Sequence, residues 1–172
     1  NMEGNFRFPL KYGYSLIGEI INEDHPRKGQ IVHLMHPHQD YCWVKEEQLF
    51  FIDESVPAKR ACLASNMETV LNAVWDSNIS LGDKAFVCGF GIIGSLLARL
   101  LNSIPGVEVV IAELNPVRRK QAEAMGFIVK DAIKPDYFDL AFNTSVNESG
   151  LQTCIDAVGL EGRVVELSWY GT

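Results

Sequence analysis

No stretch of this sequence is long and apolar enough to suggest a membrane helix. The longest uncharged apolar window, Ala85 to Ala98, falls short of the ~20 residues a spanning helix needs and contains three glycines. Basic runs are scarce as well. The nearest is Arg118-Arg119-Lys120, and 15 Lys and Arg stand against 22 Asp and Glu, a net charge of −7. That balance argues against a nucleic-acid surface and against an anionic membrane as partner. Cysteine is sparse. Cys42, Cys62, Cys88 and Cys154 form no C-x-x-C pair, and their scatter through apolar segments predicts reduced core thiols and a cytoplasmic setting. No secretory pattern opens the chain, since Asn1 to Arg7 hold no apolar run, and Asn1 before Met2 reads as a tag scar. What is present is a globular balance, 47% hydrophobic and 22% charged over 172 residues, which excludes disorder and fibrous repeats.

The chain changes grammar near Pro57. Residues 1–56 read as strands and turns: Ser15–Glu23, with Gly18 suggesting a bulge or close approach, then Ile31–Met35, Tyr41–Val44 and Leu49–Ile52. After Pro57, Ala58–Asn78 has helical spacing at Leu63, Met67, Val70, Leu71 and Val74. Strands and helices then alternate. Strands are expected at Ala85–Cys88, Val107–Ala112, Phe127–Val129, Phe138–Phe142 and Arg163–Ser168. Helices run through Ile93–Ile104, from Pro116 behind an Asn115 N-cap to Gly126, and through Leu151–Val158. Such alternation predicts a parallel sheet covered on both faces, an α/β doubly wound domain over 57–172 behind a partial β-domain over 1–56.

The chemistry-bearing motif is Gly89-Phe90-Gly91-Ile92-Ile93-Gly94, placed between a strand and a helix. In that context Gly89 permits a tight turn, Gly91 lets a pyrophosphate approach the backbone, and Gly94 lets the helix pack on the strand. Ile92 and Ile93 open the helix, whose free N–H groups favour phosphate. Glu113 follows 19 residues after Gly94, where a carboxylate accepts from an adenosine ribose diol, with Leu114 and Asn115 beside it. This favours NAD(H) over NADP(H), although Arg118 or Arg119 could pair with a 2′-phosphate. An S-adenosylmethionine-binding methyltransferase is the rival, weakened by Cys88 at the position where an acid would stand. Ligands of parallel sheets sit at the carboxyl ends of strands, which nominates Asn143, Thr144 and Ser145, and Ser168, Trp169 and Tyr170.

These features resemble the medium-chain dehydrogenase/reductases, the zinc-type alcohol-dehydrogenase-like superfamily. Pro9 to Ile20 resembles the entry to the family's GroES-like domain, and Gly29-Gln30-Ile31-Val32 resembles its Gly-Asp-x-Val strand. His36-Pro37-His38-Gln39 and Ser168-Trp169-Tyr170-Gly171 are similar to bacterial zinc-binding dehydrogenases of the bacteriochlorophyllide type. The resemblance implies a Rossmann-type sheet with five of the family's six strands, behind a partial GroES-like domain, in a chain shorter than full-length members. It also implies departures. Gly13-Tyr14-Ser15 stands where zinc-dependent members carry Gly-His-Glu, and a cysteine ligand falls on Ala64. No zinc is expected, because a catalytic zinc needs three protein ligands. The cluster His33, His36, His38 and Cys42 admits either a metal site or turn and cleft histidines. Strand alternation, which sets His33 and His36 on opposite sides, favours the second.

The expectation is a zinc-independent NAD(P)-dependent oxidoreductase acting on an unidentified small carbonyl or alkene, with Tyr14 and Glu68 as candidate acid–base groups. The alternative is a nucleotide-binding remnant or subunit without turnover. Incomplete sheets leave strand edges unpaired, so a homo-oligomer is expected.

Overall fold

In the computed structural model, residues 11–169 are described, so the expectations placed on Pro9, Leu10, Tyr170 and Gly171 lie outside the described residues. The chain forms two compact units, Asn1–Ser65 and Asn66–Thr172.

In the first unit, β1 (Leu16–Glu19), β2 (Ile31–Leu34) and β3 (Phe50–Phe51) form an antiparallel sheet in that order. Val32, His33 and Leu34 are buried on β2, which is the central strand and so has neighbours on both edges. β1 pairs with β2 without a break from Leu16↔Leu34 to Glu19↔Ile31. Gly18 therefore makes no bulge, and a side chain placed there would meet nothing within 4 Å, which corrects both expectations for it. Tyr41–Val44 is not a strand. It runs as irregular backbone along a cleft of about 620 Å³ whose other wall is β1, with no strand beside it to complete a ladder. A one-turn helix, Glu46–Gln48, precedes β3.

The expected helix from Ala58 to Asn78 is two helices, α1 (Ala58–Ala61) and α2 (Ala64–Ser77), the second crossing the boundary between the units. The second unit continues with β4 (Lys84–Cys88), α3 (Ile92–Leu101), β5 (Glu108–Ala112), α4 (Pro116–Ala124), β6 (Ile128–Val129), β7 (Phe138–Asn143), α5 (Glu148–Ala157) and β8 (Val158–Glu166). Its five strands are parallel in the order β6-β5-β4-β7-β8. The order reverses between β4 and β7, the switch point at which doubly wound sheets open a crevice.

Two apolar layers hold this sheet. One gathers Val70, Val87, Leu97, Leu101, Ile111, Leu140 and Phe142 between the sheet and helices including α2 and α3. The other gathers Phe86, Val110, Phe138, Ala141, Cys154 and Ala157 under α5. The runs Ala85-Phe86-Val87 and Val109-Val110-Ile111 are buried without alternation, as strands covered on both faces must be. α4 starts as expected: Asn115 Oδ1 accepts from the N–H groups of Val117 and Arg118, and Pro116 takes the first helical position. β8 departs from expectation. It begins at Val158, directly after α5, and ends at Glu166, with an irregularity in its pairing between Phe138 and Leu140. The cysteines also divide. Cys88 and Cys154 are core thiols, but Cys62 is exposed and Cys42 half-buried, which corrects the expectation of four core cysteines.

Candidate functional site

The site is built at the carboxyl ends of the parallel strands. β4 ends in Cys88, and Gly89 turns the chain at φ +100°, a left-handed conformation that favours glycine. The turn is held from two sides, by β5 and by the residue after β7. Gly89 N–H donates to Ala112 O at 2.8 Å, and Thr144 N–H donates to Cys88 O at 2.8 Å. The Thr144 hydroxyl is shared between Cys88 O at 3.0 Å and Gly89 O at 3.1 Å. Phe90 is buried with its ring edge-on to Phe127, so the residue between the glycines anchors the loop in the core.

The three motif glycines differ in what surrounds them. A Cβ on Gly94 would lie 2.2 Å from Gly89 O, and one on Gly89 2.9 Å from Thr144 Oγ1, so the fold itself requires both glycines. A Cβ on Gly91 would meet nothing within 4 Å. Packing within the chain does not require glycine at that position, whereas close approach of a ligand to the α3 N-terminus does.

Glu113 follows β5 and is 9% exposed. Its Oε2 accepts from Phe90 N–H at 2.7 Å and its Oε1 from Asn115 N–H at 2.8 Å. The carboxylate therefore fastens the glycine turn to the β5 loop. Arg118 Nη1 lies 4.0 Å from Glu113 Oε2 on a half-exposed side chain. Arg119 is committed elsewhere: its Nη1 donates to Glu113 O at 3.0 Å, and it pairs with both oxygens of Asp131. Of the two arginines, Arg118 is the one standing over the acid.

At the far side of the switch point, Asn143 is the last residue of β7 and has 0% exposure. Its Nδ2 donates to Glu166 Oε2 at 3.0 Å, and its Oδ1 accepts from Ser145 N–H and Oγ. Ser168 N–H donates to Glu166 Oε1 at 2.6 Å. Asn143 and Thr144 thus serve as internal ties, and surface is offered by their neighbours. An exposed apolar side chain stands just past each of four strands: Ile92 after β4, Leu114 after β5, Val146 after β7 and Trp169 after β8.

Cys88 and Cys154 share the apolar layer under α5. The contact from Cys154 holds the Cys88 thiol below its ordinary value against the opposing effect of burial, while Cys154 is pushed up by the same contact and by burial. Phe90, Glu166 and this thiol pair escaped the sequence reading. A signal existed for Glu166, the lone acid in the apolar run Val164-Val165-Glu166-Leu167.

In the first unit, Tyr14 is 54% exposed, and Ser15 Oγ and Ser65 Oγ lie 3.0 and 3.3 Å from Nε2 of the buried His33. His38 Nε2 donates to Ser15 O at 2.9 Å, and the His36 ring meets Gln39. Glu68 is exposed on α2. His33, His36, His38 and Cys42 do not converge. Among the described residues no three His, Cys, Asp or Glu side chains are grouped to hold a metal.

No family model matches the chain. It is 34% identical over 97 residues to (R,R)-butanediol dehydrogenase of Bacillus subtilis, a match covering 56% of this chain and 28% of that protein. The crystal structure of 2R,3R-butanediol dehydrogenase from that organism superposes with a TM-score of 0.64 at 28% identity, over 75% of this chain and 41% of its own. L-Idonate 5-dehydrogenase (NAD(P)(+)) of Escherichia coli is 22% identical over 98% of this chain and 63% of its own length. The aligned span there, 217 positions, exceeds the 172 residues present here, so part of the relative has no counterpart in this chain. Its structure gives a TM-score of 0.77 at 19% identity, over 93% of this chain and 60% of its own. The structure of CAD from Helicobacter pylori, complexed with NADP(H), gives 0.76 at 16%, over 95% and 61%.

The chain therefore has the relatives and the fold of the zinc-type, alcohol-dehydrogenase-like medium-chain dehydrogenase/reductases, a Rossmann-type sheet with a GroES-like β-unit. It spans 28% to 63% of the length of these curated relatives.

Proposed function

We propose that the second unit binds a nicotinamide dinucleotide, NAD(H) in preference to NADP(H), and that the chain serves a zinc-independent oxidoreductase of this superfamily. One observation carries the reading: Gly91 is glycine where no atom of the described residues requires it, at the N-terminus of α3 and beside a buried acid at the end of β5. The N–H groups of Ile92, Ile93 and Gly94 would receive the pyrophosphate. Glu113 retains acceptor capacity on both oxygens for a ribose diol, since each oxygen offers more than one lone pair. Leu114 and Asn115 border the adenosine, and Arg118 balances the acid at the 2′ position. Thr144 would hold the glycine turn, while Ser168 and Trp169 border the nicotinamide half.

The bound dinucleotide would supply hydride chemistry between its nicotinamide and a small carbonyl or alkene. Tyr14 and Glu68 are the proposed proton carriers, both exposed. Zinc independence rests on donor chemistry, because Tyr14 and Ala64 stand where the resemblance places a histidine and a cysteine ligand. The same substitutions favour the second reading, nucleotide binding without turnover.

Calorimetry of the purified chain tests this proposal. NADH is expected to bind in the micromolar range and NADPH more weakly, with sub-stoichiometric zinc by metal analysis. Absence of binding by either nucleotide refutes the reading, stoichiometric zinc refutes zinc independence, and binding of S-adenosylmethionine instead points to a methyltransferase.

We further propose a homo-oligomer. β8 is nine residues long and ends the sheet order, and Leu160 on it is almost wholly exposed. A long edge strand with exposed apolar residues favours pairing with another copy. Sedimentation equilibrium is expected to give at least a dimer, and a monomer across the micromolar range would overturn this.

A further inference from the structure

β7 and β8 form the half of the sheet beyond the switch point, opposite the half that carries Glu113. In a doubly wound dinucleotide site the two halves of the ligand divide between the two halves of the sheet. The loops leaving β7 and β8 are joined by a hydrogen-bonded clasp. Glu166 accepts from Asn143 Nδ2 at 3.0 Å with one oxygen and from Ser168 N–H at 2.6 Å with the other. The Ser168 hydroxyl donates to Asn143 O at 3.3 Å and accepts from Val146 N–H at 3.0 Å. Asn143 Oδ1 in turn fixes Ser145 through its N–H and its hydroxyl.

The clasp ends on Val146, which has φ +54°. A β-branched side chain in the left-handed region is a strained outlier, and it persists only where its surroundings impose it. Val146 is also exposed, so no packing of its own side chain offsets the strain. Its N–H, tied to Ser168, and Ser145, tied to Asn143, are what hold it. Strain of this kind concentrates at ligand clamps.

We propose that Glu166 is a positioning residue for the nicotinamide half of the dinucleotide: through Asn143 and Ser168 it holds Val146 in its strained conformation, so that the Val146 side chain and the 167–169 backbone meet the ring. This rests on the dinucleotide reading above. It adds a residue that touches no ligand, together with the reason a valine occupies a position suited to glycine. The charged acceptor matters because a carboxylate strengthens both hydrogen bonds it receives. The adenosine half would lie against Glu113 and the glycine turn. The turn is tied to the β7 loop by Thr144, whose own hydrogen bonds to Cys88 and Gly89 do not pass through Glu166, so the larger effect of losing Glu166 falls on the nicotinamide half.

That test compares NADH with ADP-ribose, which lacks the nicotinamide, by calorimetry on the full chain. Wild type is expected to bind NADH more tightly. Glu166→Ala is expected to weaken NADH at least tenfold while ADP-ribose changes less than twofold. Glu166→Gln, which keeps one acceptor oxygen, is expected to recover part of the loss. Val146→Gly relieves the strain, so it is expected to raise the melting temperature yet weaken NADH and spare ADP-ribose, a split that a merely structural role would not produce. If Glu166→Ala fails to fold, the Val146→Gly result decides alone. Equal weakening of both ligands, or unchanged NADH binding in Val146→Gly, overturns the positioning role and leaves the dinucleotide reading standing. Equal affinity of wild type for the two ligands does the same. Binding of neither ligand to wild type overturns both.

Discussion

Gly94→Ala is expected to destabilise the second unit by about 3 kcal/mol, toward the upper end of overpacking costs, and to abolish measurable dinucleotide binding. The added methyl would sit 2.2 Å from Gly89 O, 3.0 Å from Gly89 C and 2.7 Å from Thr144 Oγ1. The two Gly89 atoms are backbone of a turn that cannot retreat, since Gly89 is tied to Ala112, and the third is the Thr144 hydroxyl, itself tied to Cys88. Relief must come from moving the start of α3, which is packed into the core through Leu97, Ala98 and Leu101. A loss of that size corresponds to a fall of roughly 6–12 °C in melting temperature for a chain of this length. Gly91→Ala is the partner measurement. Gly91 has φ −75° and open space where its side chain would be, but it is the N-cap of α3, where alanine is the poorer residue, so alanine is expected to cost no more than about 1 kcal/mol. NADH affinity is nonetheless expected to fall at least tenfold, because the methyl would occupy the space proposed for the pyrophosphate. Thermal melts and NADH titrations of both variants check the pair. A Gly91→Ala variant that binds NADH as wild type does would remove the observation on which the proposed function rests.

The parts of this fold that were legible in the sequence are those written locally. Asn115-Pro116 marks a helix start through its own side chain, and Gly89 marks a turn through its own φ. The unbroken apolar runs of β4 and β5 announce strands buried on both faces. Illegible parts depend on a distant partner. The expected helix reaches Val158 and the expected strand starts only at Arg163, and between them Glu161 adopts φ +63°. Pairing with β7 nevertheless draws the whole segment from Val158 into β8. Tyr41–Val44 has strand composition but no neighbour to pair with, and so remains irregular. Nothing in the described structure explains why the helix expected over 58–78 is interrupted at Cys62 and Leu63. The site divides in the same way. The glycine spacing and the acid beyond β5 could be located from sequence, because the motif is contiguous and the strand period places its end. That Glu113 is fastened to Phe90, that Asn143 is wholly internal, and that Cys88 meets Cys154 all follow from the packing of separate strands and helices.

Glu113→Ala is expected to act on stability and on cofactor choice at once. Two backbone donors lose their acceptor. Phe90 N–H is buried and finds no replacement, at a cost of about 2 kcal/mol, whereas Asn115, on the surface, can turn to water. Glu113→Gln is not a silent control. Its amide keeps one acceptor oxygen for one donor but turns its own N–H groups toward the other. The ligand effect separates the cofactors. A carboxylate beside the ribose attracts a diol and repels a 2′-phosphate, so its removal is expected to weaken NADH roughly tenfold, the scale of one lost charged hydrogen bond, and to spare or improve NADPH. Arg118 sharpens the contrast. Its guanidinium lies 4.0 Å from Glu113 Oε2, and once the carboxylate is gone it is released to meet a phosphate, whereas Arg119 stays held by Asp131. Arg118→Ala in the Glu113→Ala background is therefore expected to reverse any gain in NADPH affinity, and Arg119→Ala is not. Calorimetric titration of both nucleotides against the three variants reads this directly. An unchanged ratio of NADH to NADPH affinity in Glu113→Ala would mean that the acid serves only to pin the glycine turn, and that cofactor preference is set elsewhere.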